Sequence, residues 1–309
     1  MRRLLLVLFS LATLAGFWTS ATVAAGQQTK SSTLGHQAAS AIPGAFAGAE
    51  TCATCHADVA NKFSSNPHSA LALMHGGKGV TCEGCHGPGQ AHVDSGGDPT
   101  KILQLSKMSA KQIDSTCLAC HAEAHPNFMR SAHGKADVGC TSCHSIHSSS
   151  KSLDGAASLL KVDQPQLCFT CHADVKPAFS QPFHHKVKEG LIKCSDCHDA
   201  HGTFGNSQLR STADQNMICT KCHTETRGPF VFEHAAVKAE GCLGCHTPHG
   251  SQNARLLNVP NVNQMCNQCH SPVAAGTIHG MNAGSAEVQS CVGCHTMIHG
   301  SNVNPAFIR

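Results

Sequence analysis

The sequence predicts a chain of short α-helices joined by long irregular connections, with little or no β structure and an interior not built from ordinary side chains. Composition carries the first part: 28 Gly, 13 Pro and only 13% charged residues in 309 do not favour long strands or long amphipathic helices. The second observation is an aromatic shortage. Trp18 is the only Trp, Tyr is missing, and after residue 25 ten Phe are the whole aromatic stock, although aromatic side chains usually dominate core energetics. The third is 20 Cys and 24 His, a stock that points to metal or prosthetic groups.

The chain opens with an address. Met1-Arg2-Arg3 is basic, Leu4 to Phe17 is mostly apolar, and Val23-Ala24-Ala25 offers small residues for cleavage, so residues 1–25 read as a secretory signal peptide. The apolar run is shorter than the ~20 residues of a spanning helix. No Cys precedes Cys52, which excludes a lipid-anchored mature N-terminus. Residues 26–48 read as a flexible linker by composition. The exported compartment makes ten disulfides the first alternative to consider.

The cysteines fall into ten groups with none left over: Cys52 and Cys55, Cys82 and Cys85, Cys117 and Cys120, Cys140 and Cys143, Cys168 and Cys171, Cys194 and Cys197, Cys219 and Cys222, Cys242 and Cys245, Cys266 and Cys269, Cys291 and Cys294. A His follows every pair: His56, His86, His121, His144, His172, His198, His223, His246, His270 and His295. Disulfides or structural zinc need paired cysteines but have no reason to place His after each pair. On a helical turn, positions i, i+3 and i+4 face one way, so two thiols and an imidazole converge on one object. CxxCH is the c-type haem attachment, with thioethers to the vinyl groups and imidazole to iron. The expectation is ten covalently attached haem c, a multihaem cytochrome c fold whose core is largely porphyrin, and a chain that does not fold without them.

Fourteen His remain. After odd-numbered motifs a His lies 9 to 13 residues beyond the motif His (His68, His133, His185, His234, His279); after even-numbered motifs it lies 3 to 6 beyond (His92, His147, His201, His249, His299). The long-short alternation, with motif starts at 117, 168, 219 and 266, makes residues 49–302 five copies of one diheme unit, with 303–309 a tail. A His three residues beyond a motif His cannot reach the opposite face of the same haem, so it is expected to ligate a neighbouring iron and staple adjacent haems together. These ten are assigned as second axial ligands. His36, His75, His125 and His184 are assigned to hydrogen bonding or solvent, with His184 fitting the repeat about as well as His185. Met74, Met129, Met265 and Met297 are read as packing against porphyrin rather than as sulfur ligands.

With both axial positions filled, no iron binds substrate and the protein moves electrons without catalysing a reaction. The alternative is a multihaem nitrite or hydroxylamine-type reductase with one open haem. Such enzymes often mark that haem with CxxCK, which does not occur here. Haem propionates also turn the nearly balanced charge of the mature chain negative, to about minus 9 oxidised and about minus 19 reduced. The pI of 8.1 is therefore no nucleic-acid signal, and basic runs with interleaved aromatics are missing.

CEGCHGPGQAH at 82–92, CSDCHDAHG at 194–202, RGPFVFEHA at 227–235, CLGCHTPHGS at 242–251 and CVGCHTMIHGSN at 291–302 resemble the periplasmic decahaem cytochromes of the MtrA/PioA/DmsE family. The resemblance runs from Ala49 to Asn302 with motif order intact. It implies an elongated haem wire held in an outer-membrane β-barrel porin. It also implies periplasmic or inner-membrane donor cytochromes on one side and a cell-surface multihaem cytochrome or terminal reductase on the other. Residues 26–48 match nothing in that family. The family's division into two five-haem modules would cut one of the five pairs counted here.

Overall fold

Thirteen α-helices among the described residues carry eight of the ten CxxCH motifs in whole or in part, the eighth and tenth motifs lying on 3-10 turns at Cys242–Gly244 and Cys291–Gly293. The α-helices are α1 (Ala49–Cys55), α2 (Ala57–Phe63), α3 (Pro67–Met74), α4 (Cys82–His86), α5 (Gln90–Asp94), α6 (Ala110–His121), α7 (Ala132–Lys135), α8 (Cys140–Cys143), α9 (Gln166–Phe169), α10 (Cys194–Cys197), α11 (Asn216–Cys219), α12 (Ala235–Ala239) and α13 (Val262–Cys266). The computed structural model describes residues 44–74, 80–151, 157–211, 214–270 and 290–309. The rest is 3-10 turns, coil and one antiparallel pair of two-residue strands, Ser150–Lys151 with Ala157–Ser158. Helix and coil with almost no sheet is the architecture that the composition predicts.

The longest of these helices, α6, is also fully capped. Ser109 Oγ accepts the N–H of Gln112, and Gln112 Oε1 accepts the N–H of Ser109, a reciprocal box that satisfies two orphan donors. The other motif helices are shorter. His144 and His198 are already extended, and each begins a turn that returns to the motif through a single bridge: His144 with Leu160, His198 with Leu209, and likewise His246 with Leu257. In the last two turns Ser207, Gln208, Arg255 and Leu256 hold positive φ of 52° to 59°. That costs on the order of 1–3 kcal/mol per non-glycine residue. It aims the carbonyls of Ser207 and Arg255 at Nδ1 of His198 and His246, both at 2.8 Å.

Very little of the protein's own side-chain stock is buried. Among the described residues the buried apolar side chains are Phe128, Phe179, Val187 and Ile218, fewer than the buried polar ones. The buried polar groups work as pins. Glu83 accepts the N–H of Ala47, Gly48 and Gly89, so residues 44–48, which composition assigns to the linker, already belong to the domain. The N–H of Gln90 to the carbonyl of Ala45 adds to the same lock.

Long-range order comes from segments that dock in pairs. Phe183 bridges Ser251, Phe232 bridges Ser301, and Asn66 Nδ2 donates to Ile146 O at 2.7 Å. Glycine after the His makes the approach possible: a Cβ on Gly250 would overlap the carbonyl of Ala178, and one on Gly300, at φ 147°, would overlap the Phe230 ring. Among the described residues no helix is long and apolar enough to cross a membrane.

Candidate haem sites and their axial ligands

Nine of the ten motif imidazoles face a second imidazole from elsewhere in the chain. The facing pairs are His56 with His92 (6.4 Å between ring centres), His86 with His147 (6.0 Å), His121 with His68 (5.9 Å), His144 with His201 (6.1 Å) and His172 with His133 (6.0 Å). The series continues with His198 and His249 (6.1 Å), His223 and His185 (6.2 Å), His246 and His299 (6.3 Å), and His270 and His234 (6.2 Å). A metal–imidazole bond of about 2 Å plus about 1 Å from nitrogen to ring centre, doubled across one iron, gives about 6 Å. The separations therefore match one metal between two rings. His279, the remaining expected ligand, lies outside the described residues, as do His36 and His75.

The pairing corrects the expectation of stapled neighbours. Among the described residues only His92 serves the motif next to its own; His147, His201, His249 and His299 reach back two motifs, and His68, His133, His185 and His234 reach forward two. The reason is the docking of segments. The segment after an odd motif lies against the segment after the even motif three further on, and together they serve the two motifs between. Thus His133 Nδ1 bonds the carbonyl of Ala200, whose neighbour His201 faces His144, while His133 itself faces His172. His185 Nδ1 likewise bonds Pro248 O at 2.6 Å, beside His249. In the first such pair the side chain of Asn66 stands between, accepting from His68 and donating to Ile146 O beside His147.

These bonds set the chemistry of the rings. Nδ1 of His86, His92, His133, His185, His198 and His246 is tied to a backbone carbonyl, which makes it the protonated nitrogen and leaves Nε2 free for metal. Burial, then the facing imidazole, pushes the pKa of His68, His147, His249 and His299 down. For His201 burial comes first and His125 second. All five shifts favour the neutral imidazole that a metal requires.

The two spare His within the described residues behave differently. His184 uses both nitrogens, Nδ1 to Gln181 O and Nε2 to Glu189 Oε1, so His185 is the ring that faces a motif His. His125 packs on His201 with ring centres 4.0 Å apart and on His121 at 6.1 Å. It is one helical turn beyond His121 and cannot cross to the other side of the same iron.

The sulfurs complete the fit. All twenty motif cysteines line one continuous cavity of about 6590 Å³, shared with the nine facing pairs of imidazoles. Phe46 and Leu191 are 64% and 78% exposed, and both line that cavity, which leaves apolar surface for a flat apolar group to cover. The donor set and the walls fit haem c.

Within each odd–even pair of motifs the first cysteines come together. Cys117 meets Cys140, Cys168 meets Cys194, Cys219 meets Cys242, and Cys266 meets Cys291 within hydrogen-bonding reach, as does Cys52 with Cys82. Between pairs the link is electrostatic: after burial, the charge of the neighbouring motif's Cys117, Cys168, Cys219 and Cys269 pushes up the thiol pKa of Cys85, Cys143, Cys197 and Cys245. The contacts inside a pair are built by a residue that the spacing of Cys and His does not reveal. Three positions before the first cysteine of an odd motif, Asp114, Asn216 and Asn263 accept the N–H of Cys140, Cys242 and Cys291. An Asp or Asn recurring at that offset is the sequence signal for it.

The doubled CXXCH motif family matches at residues 133–177, 184–228 and 234–275, and the cytochrome c554 and c-prime family at 93–145. The doubled windows join each even motif to the next odd one, so they share the repeat length read from the sequence but not its phase. The chain is similar to the multiheme cytochrome MtrA of Shewanella baltica, 34% identical over 82% of this chain and 79% of that one. It is also similar to the C-type polyheme cytochrome OmcC of Geobacter sulfurreducens (27% identical, 67% of this chain, 30% of that one) and to the cytochrome c-type protein NrfB of Escherichia coli (26%, 40% and 72%). A CxxCH cavity of paired imidazoles, in a chain this similar to MtrA over most of both lengths, has one reading: it belongs to the MtrA family of multihaem c-type cytochromes, haem c proteins of electron transfer.

Proposed function

We propose that the chain carries ten haem c groups, each held between two imidazoles, and relays electrons across an outer membrane from the periplasmic side while seated in a β-barrel porin. Its donors would be periplasmic or inner-membrane cytochromes, and its acceptor a cell-surface multihaem cytochrome or terminal reductase; import of electrons would use the same chain in reverse. The observation that carries the reading is the one cavity lined by all twenty motif cysteines and the nine facing pairs of imidazoles, together with family membership.

Haem c, when bound, supplies a one-electron iron couple. The residues of the chain do the rest. The cysteines would hold each haem by thioethers, and each facing pair of imidazoles would ligate its iron and so deny a substrate that position. Backbone carbonyls on Nδ1 hold the imidazoles in one tautomer, and the interleaved reach of two motifs ties each site to segments on either side of it.

The test begins with the intact mass of the purified holoprotein, expected to show ten haems, and with low-temperature EPR and near-infrared magnetic circular dichroism, expected to show only low-spin bis-imidazole iron. A substoichiometric high-spin signal would return the reductase reading. Co-reconstitution with the porin in dye-loaded liposomes then tests the transmembrane role. Replacing Cys266 and Cys269 together should interrupt transfer, and unimpaired transfer would refute a single path.

A further inference from the structure

Asp114, Asn216 and Asn263 do one structural job with different charge. Each accepts the N–H of the next motif's first cysteine, at 2.7, 2.9 and 2.9 Å, and so docks an even motif on the odd one before it. Where Pro165 takes the equivalent place, Gln164 Oε1 accepts the N–H of Ser195 instead. A neutral amide is therefore enough for docking, and three of these four junctions use one. The junction between the third and fourth motifs uses a carboxylate, and that carboxylate is only 2% exposed.

The neighbourhood is shaped around it. A Cβ on Gly139 would stand 2.7 and 3.0 Å from the two carboxylate oxygens, so glycine is what lets them approach the start of α8. Gly241 leaves the same room for the Asn216 amide. Asp114 lies one turn before Cys117 on α6 and bonds the backbone of Cys140, which puts its charge between two haem-attachment sites and away from water. A charge shielded from water acts on its neighbours far more strongly than an exposed one.

We infer that Asp114 tunes the third and fourth haems, holding their reduction potentials below those at the three amide-docked junctions. A ferric bis-imidazole core carries one positive charge more than the ferrous core, so a buried anion beside it stabilises the oxidised form. An amide of the same shape keeps the hydrogen bond to Cys140 and removes the effect. Relative to the amide-docked junctions, the third and fourth motifs then carry an energetic step built into the fold by one oxygen-for-nitrogen difference. The inference rests on the reading that motifs three and four both carry haem.

The experiment is a spectropotentiometric titration of the intact holoprotein, with peptide mass mapping of haem occupancy. Asp114→Asn should move two of ten components to higher potential and leave eight in place. The reciprocal Asn216→Asp should move two components, at the seventh and eighth motifs, to lower potential; it keeps the test open if Asp114→Asn fails to accumulate. A titration superimposable on the wild type with all haems present overturns the inference. So does a lowered melting temperature with unchanged potentials, which would leave Asp114 a packing role alone. Bare cysteines at motifs three and four would overturn the haem reading itself, and this inference with it.

Discussion

Removing the Glu83 carboxylate should loosen the start of the domain without touching an iron ligand. Glu83 is 2% exposed and accepts three backbone N–H groups: Ala47 at 2.8 Å, Gly48 at 3.0 Å and Gly89 at 2.8 Å. Bonds to a charged acceptor are worth about 1.5–3 kcal/mol each, and a buried donor left alone carries its full desolvation cost. Ala47 and Gly48 are partly open to water and recover some of the loss, whereas Gly89 is buried and does not. Glu83→Ala should therefore cost roughly 3–5 kcal/mol of local stability. At 1.4 kcal/mol per tenfold, amide exchange should rise about 10²- to 10⁴-fold. Glu83→Gln keeps the oxygen shared by Ala47 and Gly89 but turns a donor toward Gly48, so it should lie between the two. The assay is hydrogen–deuterium exchange by mass spectrometry, read at peptides containing residues 47–48 and 89. Exchange in Glu83→Ala equal to wild type at both places would refute the lock and return residues 44–48 to the linker.

Two further outcomes follow from the imidazole geometry. His185→Ala should leave the iron at His223 with one imidazole and convert about a tenth of the haem to a high-spin signal. His184→Ala should produce none, because its nitrogens serve Gln181 and Glu189, and equal high-spin fractions in both would refute the assignment. The ring planes also sort the sites into classes. The pairs at His56, His86, His144 and His270 are within 12° to 17° of parallel, while those at His121, His172 and His223 are at 69° to 87°. Parallel imidazoles push on the same iron d orbital and split the pair that lies along the haem normal; crossed ones act on both and leave them close. EPR of the oxidised protein should show rhombic and strongly anisotropic low-spin signals together, and a single class would refute the ring orientations.

Much of the chemistry was legible before any fold was known, because covalent haem attachment is local. Cys, Cys and His must sit within one turn, so a five-residue pattern announces the site wherever it occurs, and the spare His appear at regular offsets after it. The shortage of buried apolar residues was legible for the same reason, since composition does not depend on the path of the chain. Which imidazole faces which is another matter. His201 stands three residues beyond His198 and yet faces His144, and His68 faces His121 from far upstream; the offset records only where a ring begins its reach. The structure decided the partner by docking backbone on backbone, Phe183 on Ser251 and Phe232 on Ser301, so that paired segments deliver their rings to the two motifs between them. His184 and His185 were equivalent by spacing and were separated by Glu189, a side chain that no CxxCH pattern includes. The sequence by itself determined where two thiols and an imidazole come together to suit haem c, because that requirement is met within one turn of chain; the tertiary structure decided how the sites interlock, because the facing imidazole must come from whichever segment the fold carries there.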